Sequence, residues 1–481
     1  MELLKTYFSA TRKVETEYQN HKLSIQGELP PALQGTLFRN GNGCFEHQGV
    51  QYHHLFDGDG MITKFEFKDG KIRYSNRYVR TKEFVEENEA GKMLYRSFGT
   101  NLPGGPLKNM LKMRFKNAAN TSVIWHGGKM LALWEGGLPH EIDPVTLETV
   151  GRYDYEGVLI NDFSAIDKWI NPELPFSAHP KLHEATGVLH NFGTAAGAKQ
   201  RLVLYEVQAD GTAAKSQIIP MEEVTFTHDF VLTQNGRKIF FLTPVSFDLL
   251  QAFSGLQSPV ASIRVDHSKK TKVIVVDADQ TVHELEMDFC FVFHFANGYD
   301  VGEDKVVIDG YIMEDFPSAE AMKTFLEGEV GEEDAAPMLT RFELDLSRKQ
   351  VKTSNLSPYP GELPNVAPTK EGRLNRYIWN IAGTPETTNM VLHGVAKVDA
   401  HERQTMYKDL KPHLPGEPIF VPRPNPKAED DGWILMLLFD TIEAETRLLV
   451  LEADTLEEVA SAKLPHNIPL GFHGMWLDQH F

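Results

Sequence analysis

The sequence has little cysteine and no long apolar run. Its 481 residues include two cysteines, Cys44 and Cys290, which are too few for a disulfide framework. No window approaches the ~18 consecutive apolar residues of a membrane-spanning helix, and the opening residues lack the apolar stretch of a secretory signal. Basic residues are also scarce, with 48 Lys and Arg against 67 Asp and Glu, which argues against a nucleic-acid partner. We therefore expect a soluble, cytoplasmic protein.

Short β-rich runs closed by glycine-containing turns dominate the chain. Three predicted hairpins have this pattern: 62–79 about Asp69-Gly70, 123–134 about Gly127-Gly128, and 230–244 about Asn235-Gly236. Long amphipathic helices are rare, and the segments with the least strand character are 101–118, 247–265 and 315–337. The sequence therefore predicts an all-β fold with small helical or loop insertions.

One phrase recurs, in which an apolar strand ends in an aspartate and a turn leads to another strand. Its seven copies contain Asp69, Asp143, Asp210, Asp277, Asp345, Asp399 and Asp454. The copies follow one another roughly every 55–70 residues, which predicts a seven-bladed β-propeller capped on one face by the insertions. We expect a single domain over residues 1–481. Alternatively, aspartate is simply common in hairpin turns, and only the all-β class stands.

Four of the 19 histidines lie in unusually apolar or glycine-rich surroundings, namely His179, His228, His294 and His473. Strand alternation around His294 places Phe289, Phe291, Phe293 and Phe295 on one face, and Cys290 and Val292 beside His294 on the other. A buried imidazole needs a partner for each ring nitrogen, and a single one is usually a hydrogen-bonded core residue. If the inner strands of a propeller converge on its axis, however, four neutral imidazoles would make a site for a first-row metal such as Fe, Zn or Cu.

Three glutamates occur where a solvated charge is unexpected. Glu135 lies in LALWEGG, Glu362 in YPGELP and Glu417 in LPGEPIF. Metal-bound imidazoles usually donate their second N–H to a carboxylate, which would explain these residues. Taken singly, each would more often be a turn residue or an ion-pair partner.

Ordered motifs along most of the chain resemble the carotenoid cleavage oxygenase family. They include GELPPALQGTLFRNGNG (27–43), FDGDGM (56–61), LALWEGGLPH (131–140), SAHPK (177–181), FTHDF (226–230), FVFHFAN (291–297), GEPIFVPRP (416–424) and FHGMW (472–476). The resemblance implies a seven-bladed propeller with one non-haem Fe(II) on its axis, bound by the four histidines and supported by the three glutamates. It also implies that O2 cleaves one conjugated C=C bond of a polyene into two carbonyl products, with no catalytic acid or nucleophile.

Comparison within the family narrows the substrate. Stilbene-cleaving relatives carry a Lys at the position of Trp134 and a Tyr in the stretch that contains Phe98, so an apolar polyene suits this chain better. We expect Trp134, Phe98 and Phe293 to line the substrate tunnel. The WEGG run and RSFGTNLPGGPLK most resemble bacterial apocarotenoid oxygenases, which implies 15,15′ cleavage to retinal.

Several alternatives stay open. The same chemistry would also act on a stilbene or at a 9,10 bond of a carotenoid, because plant 9,10-cleaving members share FDGDGM. A metal-free propeller that only binds a partner would leave the histidines unexplained. A metal-dependent hydrolase would favour carboxylate ligands such as Asp57 and Asp59, which we interpret as turn residues.

The segment 106–116 is predicted to be an interfacial helix. Leu107, Met110, Leu111 and Phe115 would share one face, surrounded by Lys108, Lys112, Arg114 and Lys116. This pattern favours peripheral contact with anionic lipid, from which an apolar substrate would be drawn. The alternative is an ordinary helix packed on the propeller. A second apolar insertion, 245–256, is expected at the tunnel mouth.

Overall fold

Antiparallel strands predominate in the computed structural model, which describes residues 2–47, 49–112, 115–223, 225–331 and 335–481. The all-β class is therefore confirmed. Within these residues the α-helices are short: Glu2–Ala10, Lys82–Ala90, Pro106–Asn109, Ala165–Ile170, Leu249–Ser254 and Ala319–Leu326. Three of them lie in the predicted insertions. Over the same described residues, no helix has the length and apolar character needed to cross a membrane.

In four sheets, strands that are neighbours in the sheet also follow one another in the sequence, or nearly so. The first contains Gly474–Leu477, Gly35–Asn42, Gly60–Lys68, Lys71–Tyr78 and His21–Lys22. The second contains Ser122–His126, Lys129–Leu133, His140–Ile142 and Thr149–Arg152. The third contains Lys181–His183, Val188–Ala195, Gln200–Val207 and Ala213–Met221. The fourth contains Val231–Leu232, Lys238–Leu242, Thr271–Val276 and Val282–Met287.

Two larger sheets and two small ribbons complete the strands. A seven-stranded sheet contains Phe291–Val301, Lys305–Met313, Met338–Asp345, Gln350–Asn365, Tyr377–Ala382, Gly394–Asp399 and Gln404–Asp409. A six-stranded sheet contains Leu414–Pro415, Ile419–Pro422, Gly432–Asp440, Glu445–Glu452, Glu458–Lys463 and Ser24–Gly27. The ribbons pair Val245–Phe247 with Ile263–Val265, and Glu46–His47 with Val50–Gln51.

The three predicted hairpins are confirmed. In the first, Asp69 and Gly70 have φ angles of 50° and 65°, as a two-residue type I′ turn requires. Five of the repeated aspartates end a strand or directly follow one, Asp210 and Asp454 lie three and two residues past one, and after each the chain continues into the antiparallel partner strand. The Asp143 carboxylate, for example, accepts hydrogen bonds from the backbone N–H groups of Val145 and Thr146 at 2.9 and 2.7 Å. The repeated phrase is thus a recurring turn that closes each hairpin.

Apolar layers lie between consecutive sheets. Leu133 of the second sheet packs in one layer with Val203 of the third, and Phe241 of the fourth packs with Val306 of the seven-stranded sheet. The six-stranded sheet returns to the first, because Leu435 shares a layer with residues of that sheet such as Phe65. The chain therefore closes on itself through buried side chains.

The alternation predicted around His294 is wrong beyond Phe293. The pairing of this strand shifts register on both sides of Phe295, as in a β-bulge. Phe295 consequently packs with Cys290 and Val292, although these residues were expected on the opposite face, whereas Phe293 packs in a different layer. Bulges re-aim side chains, and here the shift occurs beside a predicted ligand.

The helix predicted over 106–116 is also wrong. The helix ends after one turn, at Pro106–Asn109, and Leu111 has a φ of 57°, which an α-helix cannot contain. Arg114 lies outside the described residues. The predicted exposure of apolar residues in this segment is confirmed for Leu107 and Leu111, which are 84% and 69% exposed.

Lys116, predicted to join the exposed basic cluster, is fully buried. Its ammonium lies 2.7 Å from an Asp59 carboxylate oxygen and 2.8 Å from one of Glu87, and it donates to the Tyr52 hydroxyl. A buried cation requires such partners, which removes Lys116 from any membrane surface. Asp59, interpreted from the sequence as a turn residue, is thereby a buried ion-pair partner of Lys116.

Candidate metal centre

The four histidines singled out in the sequence lie in or shortly before the edge strands of four different sheets. His179 precedes Lys181–His183, His228 precedes Val231–Leu232, His294 lies in Phe291–Val301, and His473 precedes Gly474–Leu477. Residues from 49 to 294 positions apart in sequence are thereby brought together, as the contacts of His179 with His228 and with His473 show. The clustering depends on the sheets packing side by side rather than on any local motif.

One nitrogen from each of the four imidazoles lies within 4.8 Å of the corresponding nitrogens of the others. Nε2 of His179 and Nε2 of His228 are 2.9 Å apart. Ring centroids around the cluster are 4.4 Å apart for His179 and His228 and 4.8 Å for His294 and His473. Such a convergence of imidazole nitrogens is suited to a single first-row metal ion.

The three predicted glutamates each contact one of these rings. The distance from Nδ1 to the carboxylate is 2.5 Å for His228 and Glu135, 2.6 Å for His294 and Glu362, and 2.8 Å for His473 and Glu417. A ring that donates from Nδ1 to a carboxylate keeps the lone pair of Nε2 free for a ligand. The fourth ring, His179, has no such carboxylate among the described residues.

Electrostatics favour neutral rings at two positions. Burial lowers the pKa of His179 well below its usual range, and the neighbouring histidines lower it further. Burial also lowers the pKa of His473, although Glu417 opposes this effect. At His294 burial acts in the same direction, but the Glu362 carboxylate prevails and the pKa is raised. Neutral imidazoles are the form that binds metal.

The donor set fits a metal ion. Nε2 of His294 is buried and has no hydrogen-bond partner within the described part of the chain. A buried polar atom without a partner costs free energy, and a bound cation would satisfy this lone pair. Four imidazole nitrogens suit iron, zinc or copper better than they suit calcium or magnesium, which prefer oxygen ligands.

Sequence reasoning missed Arg39, which lies behind Glu417. The Arg39 side chain is 1% exposed and donates to the Glu417 carboxylate at 3.1 Å and to the carbonyls of Glu417 and Phe472. Gly474 N–H also donates to this carboxylate at 2.9 Å. Burial raises the pKa of Glu417, but His473, and after it Arg39 and Gly474, outweigh burial and lower this pKa. A charged residue inside the strand GTLFRNGN was the available signal.

Two mostly apolar cavities lie near the cluster, and the proximal one is lined by three of its histidines. The proximal cavity, of about 280 Å³, is lined by Phe293, Trp134 and His228. The distal cavity, of about 360 Å³, is lined by Phe98 and again by Trp134. The three side chains expected to line a tunnel thus stand in these walls. Phe56, which sequence reasoning missed, lies in both, and Phe247 and Phe253 of the predicted mouth segment line the distal cavity.

A third cavity, the axial cavity, shares only His294, Leu363 and His473 with the proximal cavity and no lining residue with the distal one. Its volume is about 320 Å³, and His179, His294 and His473 line it together with the charged residues Lys181 and Glu371. Its wall is formed by the edge strands of the sheets and is more polar than those of the other two. The histidine cluster therefore borders both the apolar proximal cavity and the more polar axial cavity.

Comparison with known proteins identifies the family. The family described as retinal pigment epithelial membrane protein matches residues 11–478. The apocarotenoid-15,15′-oxygenase of Synechocystis is 33% identical over 464 residues, which cover 94% of this chain and 92% of that protein. An isoeugenol monooxygenase of Pseudomonas nitroreducens is 29% identical and covers 95% of this chain and 94% of its own.

The fold agrees with this assignment. The crystal structure of cobalt-substituted Synechocystis apocarotenoid oxygenase superimposes with a TM-score of 0.90 at 31% identity, over 98% of both chains. The family match and the 33% identical relative each cover nearly the whole chain. The protein therefore belongs to the carotenoid cleavage oxygenase family, and the resemblance carried by its sequence motifs is confirmed.

Proposed function

We propose that the protein is an Fe(II)-dependent dioxygenase that cleaves a conjugated C=C bond of an apocarotenoid into two carbonyl products. The observation that carries this proposal is the set of four converging imidazoles, three of them backed by carboxylates, near two apolar cavities. His179, His228, His294 and His473 would hold the ion, and Glu135, Glu362 and Glu417 would orient three of the rings. The ion, when bound, would supply the activation of O2.

The proposed frame is a single-domain propeller with seven blades over residues 1–481. Its support is that the seven repeated aspartates mark seven hairpins, and that the long strand Gln350–Asn365 pairs with Met338–Asp345 through its first half and with Tyr377–Ala382 through its second. The seven-stranded sheet would then be two blades. The buried layer between the last and first sheets would close the ring.

The chain's own residues would act by binding and positioning. Phe56, Phe293 and Trp134 form an apolar wall next to the histidines, so they would exclude water and hold one double bond of a polyene near the cluster. The absence of a phenol partner at Trp134 and Phe98 favours a hydrocarbon chain. The Synechocystis relative is named an apocarotenoid-15,15′-oxygenase, which supports cleavage at the central bond to give retinal.

The competing candidate is a phenolic alkene. It is favoured by the similarity to an isoeugenol monooxygenase, and a stilbene or a 9,10 carotenoid bond belongs to the same class of alternatives. Incubation of purified protein with an apocarotenal, a stilbene and isoeugenol under 18O2 separates them. We expect retinal from the apocarotenal, with label in both carbonyl products. Cleavage of isoeugenol or stilbene alone would overturn the substrate assignment.

A matched pair of histidine variants tests the site. His294→Ala should lose both metal and activity, because it removes the ring with the unpartnered Nε2. His401→Ala changes a 75% exposed ring far from the cluster and should behave as wild type. A folded, fully active His294→Ala protein would support a metal-free role instead.

We also propose that an exposed apolar patch contacts membranes, from the cytoplasmic side. The patch consists of Leu107, Met110, Leu111, Leu250 and Leu256, which are 84%, 47%, 69%, 84% and 70% exposed. The two short helices that carry it are joined by a hydrogen bond from Leu111 N–H to the Phe253 carbonyl at 3.0 Å, and Phe253 lines the distal cavity. An apolar surface at a cavity mouth suits uptake of a lipid-soluble substrate.

The membrane contact is tested by sedimentation with anionic vesicles. The double variant Leu107→Glu/Leu250→Glu should stay in the supernatant while it keeps activity toward substrate in detergent. Val150→Glu, at a 65% exposed site in the second sheet and outside the patch, is the control and should bind vesicles as wild type does. Vesicle binding by the double variant would contradict the proposal.

A further inference from the structure

The axial cavity differs chemically from the proximal cavity, which is mostly apolar and also borders the histidines. Among its lining residues, Asp229 is neutralised by Lys181, whose ammonium lies 2.8 Å from the Asp229 carboxylate. Glu417 is held by Arg39 at 3.1 Å. Glu371, an exposed residue, forms no hydrogen bond or ion pair through its carboxylate within the described part of the chain. It therefore gives the cavity a negative charge without a paired cation.

Glu371 stands in a charged neighbourhood. The cavity walls remove part of its hydration and raise its pKa, Lys181 lowers the pKa, and Glu184 raises it again. Glu184 itself is paired with Arg373 at 3.0 Å. The nearby charges are thus balanced in pairs, apart from Glu371.

A divalent cation cannot cross an apolar passage without losing its hydration shell. The cost of burying an unpaired charge in a low-dielectric medium is on the order of tens of kcal/mol. The proximal cavity, which borders the histidines, is walled largely by apolar side chains such as Leu55, Trp134 and Phe293, whereas the distal cavity is lined by none of the four histidines. The axial cavity, at about 320 Å³, has room for several water molecules of about 30 Å³ each. It also reaches three of the four histidines.

We propose that the metal ion enters through the axial cavity rather than through the apolar proximal cavity, and that Glu371 attracts the hydrated cation to this route. Substrate and metal would then use separate paths to the same cluster. The inference rests on the four-histidine metal site proposed above. Glu371 contacts none of the four histidines or their three glutamates in the described structure, so it would affect the path of the ion and not its final ligands.

Cobalt uptake by the chelator-treated protein tests this route, since Co2+ is stable in air and its visible absorption reports binding. Glu371→Lys should take up Co2+ about tenfold more slowly than wild type at low ionic strength, and Glu371→Gln about threefold more slowly. Release to excess chelator should slow similarly, which leaves the equilibrium affinity little changed. The differences should fade at ~1 M salt, where charges are screened within about 3 Å. Glu458→Lys, an exposed charge reversal on an outer strand, is the control.

The outcomes separate the two proposals. If wild type and both Glu371 variants bind Co2+ to the same extent and at the same rate, the entry route is wrong and the metal site stands. If wild type retains no Co2+ after desalting, the metal site itself fails and the route with it. If Glu371→Lys loses affinity without any change in uptake rate, Glu371 supports the bound ion rather than its entry, which also overturns the inference. Glu371→Gln preserves shape and serves if the lysine variant folds poorly.

Discussion

Glu417→Gln should weaken both metal binding and the fold, because Glu417 faces a histidine on one side and a buried cation on the other. Its carboxylate accepts from His473 at 2.8 Å and from Arg39 at 3.1 Å. The two side chains of the ion pair are 7% and 1% exposed. The amide would leave the Arg39 guanidinium, whose side chain is 1% exposed, without a counter-charge.

The expected magnitude follows from these contacts. Removing one partner of a buried ion pair costs about 3–5 kcal/mol. Arg39 also donates to the backbone carbonyls of Glu417 and Phe472 at 3.1 Å each, so we expect the lower end, about 3 kcal/mol. Loss of a carboxylate behind a ligating histidine lowers metal affinity by about 10- to 100-fold.

Urea unfolding of the metal-free protein and a separate Co2+ titration measure the two effects independently. Glu135→Gln is the matched control, since Glu135 also contacts a histidine but is 24% exposed and, within the described residues, forms no ion pair with an arginine. It should lose metal affinity with little loss of unfolding free energy. If Glu417→Gln unfolds at the same urea concentration as Glu135→Gln, the assignment of a buried, energetically coupled Arg39–Glu417 pair is refuted.

Two further predictions concern the buried cation cluster and the apolar wall. Lys116→Met should lower the unfolding free energy, measured by urea denaturation, by about 3–5 kcal/mol, because Asp59 and Glu87 lose their shared cation. Lys112→Met, at an exposed site, is the control and should change the unfolding free energy little. Equal effects of the two substitutions would contradict the assignment of Lys116 to a buried ion-pair cluster. Phe293→Ala should reduce kcat/KM for an apocarotenal by about 10- to 100-fold, because the polyene is held less firmly beside the histidines; unchanged kinetics would remove Phe293 from the substrate path.

The parts predicted correctly from sequence depend on local rules or on strongly constrained residues. Asp69-Gly70 predicts its hairpin because both central residues must adopt positive φ, which is costly for most other residue pairs. The grouping of the four histidines was also predicted, because a buried imidazole needs a partner for its ring nitrogens and one bound metal ion would serve all four. That grouping still required the assumption that the sheets surround one axis, which spacing alone does not establish.

The parts predicted wrongly depend on tertiary contacts. Lys116 was assigned to an exposed helix because its sequence neighbours are basic, but its ammonium is drawn inward by Asp59 and Glu87, which are distant in sequence. The alternation past Phe293 failed because a bulge inserts a residue that period-2 reasoning does not detect. Arg39 was overlooked since nothing local shows that it faces Glu417.

Metal content of the anaerobically purified protein tests the central proposal most directly, measured together with product analysis after addition of an apocarotenal and O2. We expect about one iron per chain, retinal as a product, and loss of both in His294→Ala. A folded protein that contains no iron, takes up none on reconstitution and still cleaves the substrate would contradict the four-histidine centre.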